Sequence, residues 1–151
     1  MLLLSNNFDK SLEVSLSMNG IVNWNVLTNI FGNDFNFTDA SIEYIRSEPL
    51  GGSVYIDFVV NSKVVNPPTR WKYWDKIYVK IDFAFVKKLY WQMESKEFNI
   101  RMFSIQQHQQ AFGIEIRDSN FNVIEFNFEA ARVQNVKPLI YNEKYDRYEA
   151  D

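Results

Sequence analysis

From Ile77 to Phe85 every second residue is apolar: Ile77, Val79, Ile81, Phe83 and Phe85 alternate with Tyr78, Lys80, Asp82 and Ala84 in the longest clean alternation of the chain. Neighbouring side chains on a strand point to opposite faces, so this period of two demands a β-strand with one face in a core and the other in water. The same pattern recurs. Leu12, Val14, Leu16 and Met18 alternate with Ser11, Glu13, Ser15 and Ser17 up to a turn at Asn19-Gly20, and Ala40, Ile42 and Tyr44 alternate with Ser41, Glu43 and Ile45 up to Pro49. Gly51-Gly52 then supplies a tight turn into a second strand, Ser53–Val60. Asn99–Gln107 alternates with Ile100 and Met102 opposite Arg101, Phe103 and Ile105, both faces being partly apolar. Gly113–Arg117 and Phe121–Phe128, joined through Asp118-Ser119-Asn120, read as a last hairpin that runs on to Val136 before Lys137-Pro138 stops it. The segment VKKLYWQM fits a strand continuation or a turn. NSKVVNPPTRWKYWDK, with Pro67-Pro68, reads as a long loop or an edge excursion.

One segment departs from period two. Trp24, Leu27, Ile30 and Phe31 fall on one helical face, Asn23 can cap that helix, and Gly32 is free to take the left-handed position that ends it. A short helix over Trp24–Phe31 among strands predicts an α+β fold: about seven or eight mostly antiparallel strands, as a sheet or sandwich, with one helix packed on them.

A chain of 151 residues fits one domain and can bury roughly 68–70% of its unfolded surface. Its 13 Phe, 8 Tyr and 4 Trp supply ample core, which rules out disorder across the whole chain. Residues 1–141 are expected to form one globular domain. Residues 142–151, NEKYDRYEAD, are charged and poor in aliphatics, which predicts a frayed or weakly helical tail. The opening MLLLSNNFDK has three consecutive leucines without a basic region or a cleavage site, so it reads as neither signal peptide nor membrane span, and no membrane partner is expected.

Composition closes most chemistry. With no cysteine there are no disulfides and no thiolate, which suits the cytosol. With one histidine, His108 in QQHQQ, there is no His-rich zinc site, and no serine sits in a GxSxG elbow that would complete a triad. Asp39 with Glu43, or Glu115 with Glu125, could do acid–base work only in a shared cleft; a turn role for Asp39 and a hairpin's solvent face for the glutamates fit the pattern better. Gly51-Gly52 lies between strands, where a phosphate cradle would lead into a helix. No catalytic residue, metal or cofactor is therefore expected. A net charge of −3 argues against nucleic acid as the partner. The loop TRWKYWDK places Arg70, Trp71, Tyr73 and Trp74 outside a regular strand. These residue types anchor protein interfaces, so the four are the candidate partner-binding residues, with a sugar shelf or a nucleic-acid platform as the other uses of such a loop.

Trp24, Leu27, Phe31-Gly32 closing a short helix, then Phe37, Asp39 and Ala40 before an alternating strand, together resemble the immunity proteins of bacterial polymorphic toxin systems, most nearly the family numbered fifty. Thr38 stands where that family's Phe-His-Asp-Ala core carries histidine, and the proline expected a little earlier is absent. The likeness extends loosely over residues 20 to 138. It implies a small, non-catalytic cytosolic protein that binds and neutralises a cognate toxin. Phe31 and Phe37 would then pack the helix onto the sheet, and Asp39 would satisfy backbone donors at the strand entry. A β-rich carbohydrate- or lipid-binding module is the alternative.

Overall fold

The structure is a computed structural model and describes Ser17, Met18 and residues 20–150. Along the chain the elements are β1 (Ser17–Met18), β2 (Ile21–Val22), α1 (Trp24–Phe31), β3 (Ser41–Glu48), β4 (Ser53–Val60), β5 (Lys76–Ala84), β6 (Lys87–Gln92), β7 (Phe98–Asn99), β8 (Met102–His108), β9 (Ala111–Arg117), β10 (Val123–Phe128), β11 (Ala130–Asn142) and β12 (Arg147–Ala150). The fold is α+β.

Because Ile77, Val79, Ile81 and Phe83 are all at most 1% exposed, β5 lies in the middle of the larger sheet, whose order is β1-β2-β11-β5-β4-β3-β7, with β12 added on β11. Every pairing in it is antiparallel except β2 with β11. A second, four-stranded antiparallel sheet has the order β6-β10-β9-β8. It covers one face of the larger sheet: Phe83 meets Phe126 and Phe128 edge-on with ring centroids 5.0 and 5.1 Å apart. Helix α1 lies on that same inner face. Its Trp24 touches Phe37, and Phe37 stacks on Phe58 of β4 at 4.1 Å, so the aromatic cluster expected to join helix to sheet forms. The outer face of the larger sheet is left uncovered by the described residues.

The two sheets share one ribbon that folds over. β5 and β11 pair up to Ala84 and Ala130, the chain bends at Phe85 (φ 54°), and pairing resumes in the other sheet between Lys87 and Asn127. Phe85 therefore leaves the alternation and is 62% exposed, against expectation. The bend rests on the β3–β4 turn, where the Val86 N–H donates to the Gly52 carbonyl at 2.8 Å.

Several expectations are corrected by tertiary context. The strand expected over Leu12–Met18 is described only at Ser17–Met18, which pair with Ile21–Val22; its remainder lies outside the described residues. At the turn between them Gly20 has φ 74°, and a Cβ there would come within 2.8 Å of the Phe112 ring. Asn23 takes a left-handed backbone and makes no side-chain cap bond, because a cap needs an extended backbone to aim its oxygen at the first helical amides. Gly32 has φ 105° and ψ 162°, outside the left-handed helical region, since the chain leaves α1 extended. In β3 the register slips between Ile42 and Tyr44, a bulge that keeps Ile42 and Ile45 inward and turns Tyr44 out. The run Asn99–Gln107 divides between sheets: Asn99 pairs with Ser41, Ile100 bonds Ala40, and Met102 starts β8 beside Arg117.

β11 does not stop at Lys137-Pro138 but runs to Asn142. Between Arg132 and Leu139 it has no described neighbour on the side away from β5, an edge where a proline costs no ladder bond. The expected tail instead turns back as β12, with Arg147–Ala150 pairing Asn142–Leu139.

Candidate partner-binding surfaces

The loop of residues 61–75 is tied down at both ends. Val65 and Asn66 donate to the Ile30 carbonyl at the end of α1, the Asp75 N–H donates to the Leu139 carbonyl, and the Asp75 carboxylate accepts the Tyr141 N–H at 2.6 Å. Between these anchors the four candidate residues separate. Trp71 is 8% exposed and belongs to the core, and Trp74 is half-buried with its ring 5.8 Å from that of Trp71. Arg70 and Tyr73 are exposed, Tyr73 by 77%. The two indoles thus pack toward the core. The Trp71 Nε1–H is buried without a partner, which marks this indole as a filler of space.

The carboxylate pairs do not form a catalytic cleft. Glu115 and Glu125 face each other directly across β9 and β10, and Arg117 bridges both, the arrangement of a solvated hairpin face. Asp39, at φ 72°, extends an exposed side chain to Arg101 Nη1 at 3.2 Å while its own backbone N–H donates to the Ile100 carbonyl. The expectation that its carboxylate caps backbone donors is overturned, because the left-handed backbone turns the side chain out to solvent. Ser104, His108, Glu115 and Glu125 are among the residues that line a shallow depression of about 310 Å³ on the small sheet. Ser104 and His108 stand four residues apart on β8, roughly 13 Å along a strand, too far for a nucleophile and its base. No cluster of His, Asp or Glu among the described residues is placed to hold a metal ion, and no helix of the described residues is long and apolar enough to cross a membrane.

A different surface is prominent. The half of the β5 alternation that faces away from the core reads Lys76, Tyr78, Lys80 and Asp82. Register places Tyr44, Arg46 and Glu48 of β3, Tyr55 and Asp57 of β4, and Arg132 and Lys137 of β11 on the same side. Four cations lie over tyrosine rings there: Arg46 and Lys80 over Tyr55 at 4.5 and 5.6 Å, Lys137 over Tyr78 at 4.7 Å, and Lys76 over Tyr148 of β12 at 4.6 Å. Partial burial, then the Asp57 carboxylate beside it, hold the Tyr78 phenol well above its ordinary value, so it remains a neutral donor. Two depressions, of about 370 and 520 Å³, open on this face. These residues were missed as a group in the sequence, where they are only the polar halves of separate alternations.

One buried polar residue was also missed. Asn122, 1% exposed, joins the β9–β10 turn to the β6–β7 connection. Its amide oxygen accepts the Glu94 and Ser95 N–H groups at 2.6 and 3.1 Å. Its amide nitrogen donates to Ser95 Oγ, the Glu97 carbonyl and Asp118 Oδ2 at 2.8, 2.8 and 2.7 Å.

Compared with known proteins, the chain matches the family model described as Immunity protein 50 over residues 23–139, from the entry of α1 to the pairing of β11 with β12. No curated protein and no solved structure matches it.

Proposed function

Because the chain belongs to the Immunity protein 50 family, we propose that it binds and neutralises a cognate bacterial toxin in the cytosol and catalyses no reaction of its own. The family match carries this reading. The paired, solvated carboxylates and the unconverged His108 accord with it, as they supply no base poised at a nucleophile. No cofactor enters the mechanism: neutralisation by a binding protein needs only a surface that occludes the toxin. In the loop of residues 61–75, Arg70 and Tyr73 are the proposed contacts, and Trp71 and Trp74 hold the segment from beneath.

The test is genetic and physical. If the adjoining upstream gene encodes a protein ending in a toxin domain, that domain should arrest growth when expressed alone and be tolerated when this chain is co-expressed. Purified chain and toxin domain should form a stable complex. Wild-type protein that is folded, yet neither binds nor protects, would refute the reading.

A further inference from the structure

We propose that the outer face of the larger sheet is a docking surface for the toxin, in addition to Arg70 and Tyr73 of the loop, and that the toxin surface it fits is acidic. This rests on the toxin-binding reading above and adds to it a place and a chemistry.

The chain as a whole carries a net charge of −3, yet this face presents Arg46, Lys76, Lys80, Arg132 and Lys137 against Glu48, Asp57 and Asp82, with Glu43 at its rim. Two of the acids are held in ion pairs, Glu48 with Arg46 at 3.2 Å and Asp82 with Arg132 at 3.6 Å. Asp57 lies across from Lys80 and beside the Tyr78 phenol. None of the ion pairs of the described residues includes Lys76, Lys80 or Lys137. Each of these ammonium groups lies instead on a tyrosine ring. Five cations against four carboxylates leave this face with an excess of positive charge in an acidic chain. Lys76 and Lys137 stand outside every ion pair of the described residues, so the face attracts a partner of opposite sign, which raises the rate of encounter and fixes the orientation of docking.

The tyrosines add what charge cannot. Tyr44 and Tyr148 are 50% and 41% exposed, and such amphipathic rings contribute contact area at small entropic cost. The cation–π contacts hold the lysine side chains in place before the partner arrives, so less rotamer freedom is lost on binding. Helix α1 and the small sheet both lie on the opposite, inner face, so the described residues leave β3, β4, β5 and β11 open to a partner on this side.

The experiment titrates full-length chain with the purified toxin domain by calorimetry at low and at high salt, comparing wild type, Lys80→Glu, Lys137→Glu and the conservative Lys137→Arg, with a thermal melt of each. Each charge reversal should weaken binding about tenfold or more, Lys137→Glu with an unchanged melt and Lys80→Glu with a lowered one because it faces Asp57, Lys137→Arg should bind as wild type, and high salt should weaken the wild type most. Reversals that melt normally and bind as tightly as wild type would overturn the proposed face while leaving the toxin-binding reading intact. A wild type that does not bind the toxin would overturn that reading and this one together. Two further results would overturn the acidic-toxin assignment: a labelled oligonucleotide held by the wild type and released by the reversals, or a wild-type dimer in sedimentation that the reversals dissociate.

Discussion

Asn122→Ala tests whether one buried side chain holds the small sheet's turn and connection together. The substitution removes all five hydrogen bonds of the amide and leaves the Glu94 and Ser95 N–H groups without their acceptor. A buried donor left unsatisfied costs about 1–3 kcal/mol, but Glu94 is exposed and Ser95 half-buried, so water can recover part of the loss. The net cost should be on the order of 2–4 kcal/mol. For a chain of this size that is a fall of about 4–16 °C in Tm. Asn122→Asp preserves shape and acceptors but sets a second carboxylate where the amide nitrogen lies 2.7 Å from Asp118 Oδ2. It should be destabilised at neutral pH, and the deficit should shrink as acid protonates one of the pair. Denaturant melts of the three proteins, followed by Trp fluorescence across acidic and neutral pH, measure this. An alanine variant within about 0.5 kcal/mol of wild type would refute the role given to Asn122.

In the loop, Trp71→Ala should cost about 3–5 kcal/mol of stability, Trp71→Phe far less because its ring still fills the site without the unpaired N–H, and Tyr73→Ala almost nothing; chemical denaturation separates them. Asp39→Gly should stay within about 1 kcal/mol of wild type by the same measurement, since it gives up an exposed ion pair and relieves a positive φ. Phe37→Ala, which empties a fully buried ring site between α1, β4 and Phe103, should cost about 3–5 kcal/mol and melt well below wild type. The folded-state value of Tyr78 lies above its unfolded value near 10, so its contribution is intact below pH 10 and lost as the pH climbs toward the folded value. Alkaline stability curves should accordingly fall less steeply in Tyr78→Phe.

The sequence by itself determined the elements whose reason is local. Trp24–Phe31 is helical because four apolar residues share one helical face, and Ser53–Val60 and Lys76–Ala84 are strands in which alternate residues are buried. The family was legible too, in the aromatic and glycine spacing around α1, and Phe37 packs as that spacing implies. What neighbours decide was not legible. Nothing local distinguishes a bulge at Glu43 from continued alternation, yet the bulge sets Tyr44 on the outer face. Pro138 reads as a stop until its strand is seen to lack a neighbour on one side, and the charged final segment reads as a tail until β11 offers it an edge. Asn122 looks like a turn residue, and only the approach of Glu94, Ser95 and Glu97 from another strand connection makes it a buried junction. The same holds for function. The sequence singled out the Trp71 and Trp74 indoles because their composition is that of an interface, but composition does not record which way a ring points. The loop, tied to Ile30 and Leu139, carries Trp71 inward, and strand pairing assembled Tyr55, Tyr78, Lys76, Lys80 and Lys137 from separate strands into one face that the described residues leave uncovered.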